Sequence, residues 1–124
     1  VNMVTEAIAE QMNKCSGNYP PEVNEFVVSG LTAVPSELVK PPRVLESPVN
    51  LECRVTYILP FRRNTINAKM FVAEVLLLHV ADNLYRDGVV NSDDYHVIGR
   101  MGWGLYTRTR DLFKLAPPHK LDTV

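Results

Sequence analysis

The residues with the most chemical character lie in one short run, Gly99-Arg100-Met101-Gly102-Trp103-Gly104-Leu105-Tyr106. Its glycines let the main chain approach a flat ligand, while Arg100 supplies a permanent cation and Trp103 or Tyr106 an aromatic face. Gly99, Gly102 and Gly104 read G-x-x-G-x-G, the reverse of the dinucleotide fingerprint. That fingerprint must follow a strand and open a helix, whereas this run follows an expected helix stop, so a Rossmann site is rejected. The plain alternative is a tight surface turn with a packed aromatic. A second run, Pro42-Arg43-Val44-Leu45-Glu46-Ser47-Pro48, holds a hydroxyl and two opposite charges between prolines just before a strand. Rigid prolines suit such groups to a pocket rim. The plain alternative there is an Arg43–Glu46 pair with a Ser47 hydrogen bond shaping the loop.

Other chemistry is sparse. Glu74 and His79 sit in the most apolar stretch, where a polar side chain must find a partner or shift its pKa. Their odd spacing puts them on opposite faces of a straight strand, which makes a poor acid–base pair. Each reads better as a satisfied buried or edge residue. Glu52 and Arg54 share a strand parity that suits a cross-strand charge pair at the outer face or an interface. His79, His96 and His119 lack ligand spacing and clustered partners, so no metal site is assigned. Cys15 and Cys53 fall on apolar stripes and read as core. No serine occupies a G-x-S-x-G elbow, and no Ser-His-Asp arrangement can be argued. Arg62, Arg63, Arg108 and Arg110 read as solvated basic groups; as functional groups they would attract pyridine-nucleotide phosphates.

The elements that must position these residues come from a chain of 124 residues, with 13 Lys+Arg against 14 Asp+Glu and 46% hydrophobic residues. One ordinary domain over residues 1–124 fits these figures. A net charge near zero lacks the broad basic surface of a general nucleic-acid binder. The longest apolar run, Met70 to Val80, contains Glu74 and His79 and falls short of the roughly 20 residues that cross a bilayer. No basic segment followed by an apolar one opens the chain, and isolated cysteines argue against a disulfide framework. The expected setting is therefore a reduced cytoplasm. The opening Val1-Asn2-Met3-Val4 reads as the end of a strand running into a helix, as in the later part of a longer chain.

Thr5 is expected to cap a helix with Ile8, Met12 and Cys15 on its apolar stripe, ending at Gly17-Asn18. Pro20-Pro21 predicts a fresh helix start, with Val23, Phe26 and Val27 as the buried face and Gly30 as the stop. Ser36 can cap a single turn from Glu37 to Val39, terminated by Pro41-Pro42. From Val49 to Leu59 the period changes to two and predicts a half-buried strand. Met70 to Val80, apolar on both parities, predicts a strand covered on both faces or closing a barrel, paired with the first as an antiparallel hairpin. Short strand candidates lie near Arg43 to Glu46 and Asp82 to Val90, with a turn at Asp87-Gly88. Ser92, Asp93 and Asp94 predict a short helix ending near Gly99, and Leu112 to Pro118 a trailing strand or tail. A closed small barrel needs about six to eight strands, more than these elements supply.

The ordered series Glu25-Phe26, Gly30-Leu31-Thr32, Pro35-Ser36, Val39, Pro41-Pro42-Arg43-Val44, Glu46-Ser47-Pro48, Glu52-Cys53, Gly99-Arg100-Met101-Gly102 and Tyr106 resembles the flavin reductase-like family of FMN-binding split barrels. Val1-Asn2 and Ala9-Glu10-Gln11-Met12-Asn13 resemble that family's strand-to-helix junction. The resemblance implies a mainly β fold with short helices, a Greek-key split barrel, present here as an N-terminally incomplete copy lacking its first strands. It implies a homodimer holding FMN near the subunit interface and reducing flavin with NADH or NADPH, often for a separate oxygenase. Asn2 and Ser47 would be polar contacts, Arg100 a partner of phosphate or ring carbonyls, and Tyr106 an aromatic wall. Trp103 stands where relatives commonly have glycine. Because flavin carries the chemistry, no catalytic side chain is expected. Two alternatives stay open: a non-catalytic FMN-binding electron carrier, and a truncated dimerising scaffold without flavin.

Overall fold

A computed structural model of the chain describes residues 1–63, 66–91 and 94–115. Its dominant element is a long antiparallel hairpin, β3 (Val49–Arg63) and β4 (Ile66–Val80), which begins from Val49 paired with Val80. Both strands were expected, but β4 starts earlier and β3 ends later than the alternation alone indicates. Shorter hairpins flank it: β1 (Ala33–Val34) with β2 (Arg43–Val44), β5 (Tyr85–Arg86) with β6 (Val89–Val90), and β7 (Ile98–Gly102) with β8 (Leu105–Arg108).

The N-terminal segment 1–5 joins the large hairpin to the last one. Asn2 bridges Asn50 on β3, while Thr5 bridges Val97 just before β7. Met3 N donates to Val49 O at 3.0 Å, Leu51 N to Val1 O at 2.8 Å, and Ile98 N to Val4 O at 3.1 Å. The result is one open antiparallel sheet in the order β4, β3, segment 1–5, β7, β8. Thr5 is consequently a sheet residue, and its hydroxyl makes no capping bond to the 3₁₀ turn Glu6–Ile8 that follows.

Two short helices come next in the chain, α1 (Ala9–Lys14) and α2 (Glu25–Ser29). The second starts after Asn24 rather than at Pro20-Pro21, because the Asn24 carboxamide accepts from Phe26 N at 3.0 Å and supplies the cap that proline cannot. Its buried side differs from the sequence expectation: Val27 is 78% exposed, whereas Ser29 is buried and donates to Glu25 O. Gly30 ends it in the left-handed region, φ 75°.

Two further expectations fail for physical reasons. Glu37 to Val39 form bends rather than a helical turn, since Ser36 Oγ donates to Pro41 O and the free N–H groups of Glu37 and Leu38 are taken by Glu52. The helix expected from Ser92 to Gly99 is absent over its described part: Ile98 and Gly99 are in β7, drawn into the sheet by segment 1–5. Ser92, Asp93, His119, the Arg62 and Arg63 side chains and the far end of the expected Leu112–Pro118 tail lie outside the described residues. Residues 112–115 carry no regular structure.

The enclosed apolar core contains Ile8, Val49 and Leu84. The outer arm of the large hairpin is apolar and open on both faces, with Tyr57, Ile58, Leu59, Phe61, Met70, Phe71 and Val72 all exposed. Of the two expectations from sequence, covering on both faces or closing a barrel, the first is not met among the described residues. Among the described residues no helix is long and apolar enough to cross a membrane.

Replacing Gly30 by Ala isolates backbone strain, because an added Cβ would meet no atom within 4 Å while φ stays at +75°. Stability should fall by roughly 1–2 kcal/mol, the cost of a left-handed residue bearing a side chain. A urea midpoint equal to that of the unchanged chain would contradict this.

Candidate functional site

Residue pairing across the sheet decides which side chains share a face. Asn2 lies opposite Asn50, and Asn50 opposite His79, so all three project to the same side. Thr5 faces the other way with Val97, which returns Arg100, an odd number of residues further on, to the side of Asn2. Arg100 is paired with Tyr106 across β7 and β8. The sheet therefore carries Asn2, Arg100 and Tyr106 on one face.

Arg100 Nη1 donates to Tyr106 Oη at 2.9 Å, and the guanidinium lies 5.6 Å from the ring centroid, a cation–π distance. Both residues are displayed by a tight hairpin whose tip, Trp103-Gly104, has φ of 52° and 77°. Positive φ at both tip residues gives the twist that suits a two-residue connection. Glycine accepts that conformation and Trp103 does not do so easily; its side chain is fully exposed. The glycine-rich run is thus a β-hairpin, and among the described residues 94–97 just before it there is no helix.

Asn2 occupies a wall between two clefts. One, of about 330 Å³, is lined by Cys15, Phe26, Ser29 and Leu31 with Pro41 and Pro42. The other, of about 230 Å³, is lined by Arg43, Glu52, Cys53 and Val55 with the same prolines. The Asn2 side-chain oxygen accepts from Val44 N at 3.1 Å and from Asn50 Nδ2 at 2.9 Å. Its own Nδ2 has no partner among the described residues and remains a donor. Ser47 is buried, with Oγ at 2.7 Å from Met3 O and 2.9 Å from Val49 O. Its hydroxyl shapes the entry to β3 and supports the residue next to Asn2, the plain role weighed for it from sequence. The Arg43–Glu46 pair does not form. Both Glu46 oxygens accept from Thr32 N, which lowers that carboxyl's pKa, while Arg43 turns the other way to Pro35 O and Asn50 Oδ1.

The strongest polar feature was not legible from strand parity. Glu52 is 1% exposed, buried beneath the 36–42 loop rather than displayed on an outer face. Its carboxylate accepts from Glu37 N at 2.8 Å and Leu38 N at 2.6 Å, lies 2.7 Å from His79 Nε2, and has Arg43 Nε at 3.9 Å. Burial alone would raise its pKa. The Glu37 N–H, the His79 ring and the Leu38 N–H outweigh that and hold it at about 2. Arg54 pairs instead with Glu74 at 3.9 Å on the exposed arm. Glu74 and His79 share a face after all, because a register shift beside Cys53 leaves Leu76 unpaired between them and inverts the alternation. They still form no pair, each being engaged elsewhere. A further carboxylate, Glu6, ties the first turn to the chain's later segment through Arg108 Nε at 2.6 Å and Arg110 Nη2. The hydrogen bond from Arg108 is the main reason its pKa is lowered.

This mainly β architecture, an open sheet with a few short helices and a glycine-relieved Arg–Tyr hairpin, is the split-barrel class. The flavin reductase like domain family matches residues 1–99, and the chain belongs to it. A protein of Aquifex aeolicus (strain VF5) is 37% identical over 109 residues, 87% of this chain and 54% of that one. Nitrilotriacetate monooxygenase component B from Bacillus cereus superposes with a TM-score of 0.84 at 25% identity, over 93% of this chain and 58% of that chain. A Shewanella frigidimarina NCIMB 400 protein with a split barrel domain gives 0.77 at 22% identity, over 94% and 59%, a likeness of fold. The chain spans little more than half the length of these proteins.

The buried carboxylate makes stability acid-sensitive with a defined sign. Because the folded pKa of Glu52 lies below its ordinary 4.5, ionisation stabilises the fold above that value, and the contribution is lost as pH falls toward about 2. Urea midpoints should decline across this range, and Glu52→Gln should be less stable near neutrality with a shallower acid slope. Parallel acid slopes for the two proteins would contradict the assignment.

Proposed function

We propose that this chain is part of an FMN-binding oxidoreductase of the flavin reductase type, which takes hydride from NADH or NADPH. The observation that carries the reading is the Arg100–Tyr106 pair, held on the sheet face of Asn2 in a chain of the flavin reductase like family. These residues fit a flavin in kind: Asn2 Nδ2 is an uncommitted donor, Arg100 has N–H groups beyond the one on Tyr106, and a side chain at Gly102 would meet no atom within 4 Å, which leaves open space beside the main chain there. When bound, FMN supplies the hydride acceptor and the onward electron donor. Asn2 then serves as a polar contact, with Ser47 fixing the strand that carries it. Arg100 meets phosphate or ring carbonyl oxygen as a planar donor, and Tyr106 forms an aromatic wall while orienting Arg100. No side chain is needed as nucleophile or general base, because the protein's part is to bind, orient and exclude water.

The same reading includes a cytoplasmic setting and a homodimer, the latter supported by the apolar arm that the described residues leave open on both faces. It also includes delivery of reduced flavin to a separate oxygenase, supported by the likeness to a monooxygenase component B. Steady-state oxidation of NADH or NADPH with added FMN tests the reductase; bound flavin absorbance without turnover would instead mark an electron carrier, and neither would mark a scaffold. Arg100→Ala should weaken FMN or nucleotide binding by roughly tenfold, about 1.4 kcal/mol, with little change in the thermal midpoint. Unchanged affinity for both in a fluorescence titration would remove Arg100 from the site.

A further inference from the structure

Asn2 is the end point of a chain of polar contacts that begins at the buried Glu52 with an ion-pair distance and continues through hydrogen bonds. Glu52 faces Arg43 across 3.9 Å; Arg43 Nη1 donates to Asn50 Oδ1 at 3.2 Å; Asn50 Nδ2 donates to Asn2 Oδ1 at 2.9 Å. Each link fixes the next. Arg43 Nε donates to Pro35 O at 3.3 Å, just before the loop that Glu52 holds, and with the carboxylate nearby the guanidinium sits with Nη1 on the Asn50 oxygen, which leaves the Asn50 amide nitrogen for Asn2. With its oxygen held, Asn2 keeps Nδ2 as a donor without a partner among the described residues. The same carboxylate holds the Glu37 and Leu38 N–H groups, in a loop that is otherwise closed by Ser36 Oγ on Pro41 O. That loop ends in Pro41 and Pro42, which line both clefts beside Asn2.

We propose that Glu52 is the positioning residue of the Asn2 site, setting the Asn2 amide through Arg43 and Asn50 and the cleft walls through the 36–42 loop. The inference rests on the flavin-binding reading of that site and adds to it a residue that touches no ligand. The titratable and charged groups around Glu52 are His79 on β4, Arg43 on β2 and Glu37 of the loop, whose carboxylate stands 4.0 Å from His79 Nδ1. His79 seats one oxygen of Glu52, which leaves the carboxylate plane fixed for the two loop amides. A carboxylate with so many partners in a dry setting is costly to disturb singly, since each partner left behind loses its own bond.

Three variants of the full chain, Glu52→Gln, His79→Ala and Asn2→Ala, together with the Glu52→Gln/Asn2→Ala double variant, test this with FMN as the probe. Glu52→Gln replaces one acceptor oxygen by an amide nitrogen, which cannot accept, so the Glu37 and Leu38 amides should exchange faster with deuterium while the β3–β4 amides near Val49 keep their protection. FMN affinity should fall roughly tenfold in Glu52→Gln and less in His79→Ala, and the double variant should be no weaker than the weaker single one, the non-additivity of residues acting in series. Should Glu52→Gln fail to fold, His79→Ala paired with Asn2→Ala carries the same cycle. Unchanged FMN affinity in a variant whose sheet stays protected, or losses that simply add, would overturn the positioning role while leaving the flavin reading intact. Absence of FMN binding by the unchanged chain would overturn both.

Discussion

Main-chain pairing along both edges of residues 1–5 is the constraint on which the arrangement depends. A two-stranded hairpin alone is marginal in water, and this chain contains several. Segment 1–5 gives β3 a neighbour on one side and β7 on the other, so the separate ribbons become one sheet with a common inside and outside. Through that shared strand Asn2 and the Arg100–Tyr106 pair, far apart in sequence, acquire a fixed relation. Ser47 and Glu6 reinforce the same segment from either end, one by a buried hydroxyl on Met3 O, the other by its bonds to Arg108 and Arg110.

The polar interior follows from the same geometry. With few fully buried apolar residues among those described, Ile8, Val49 and Leu84, the 36–42 loop over β3 is held by directed bonds to Glu52. Such bonds give less net stability than their number suggests but a narrow choice of geometry. That is the property a binding surface requires of its supports.

How much of this was legible in the sequence divides along physical lines. Local patterns found the long hairpin, the Asp87-Gly88 turn, Gly30 as a helix stop and the strand candidate at Arg43, because alternation and positive φ are properties of neighbouring residues. Motif order found the family, since many short matches in sequence constrain more than any one of them. Long-range partners were out of reach. Glu52 looked like an outer-face residue because parity says nothing of the loop that covers it, and Ser36 looked like a helix cap because the competing acceptor for the Glu37 N–H lies on a strand. The expected helix before Gly99 gave way to a strand for the same reason: its partner, Val4, stands at the other end of the chain. Of the site residues, Asn2, Arg100 and Tyr106 are brought to one face, whereas Ser47 is turned inward.

The large hairpin contains two irregularities that cancel. Beside Cys53 an extra residue, Leu76, is accommodated on β4; beyond Val55 an extra residue, Thr56, is accommodated on β3, and pairing then runs in its original phase to Arg63 opposite Ile66. Between the two, β4 presents to each face the residues that an uninterrupted strand would have sent to the opposite one. Loss of either residue alone would leave the outer arm out of step by one with its partner, whereas loss of both would merely straighten the ribbon. The two insertions therefore behave as a matched couple, and any lengthening or shortening of one strand here has to be answered on the other.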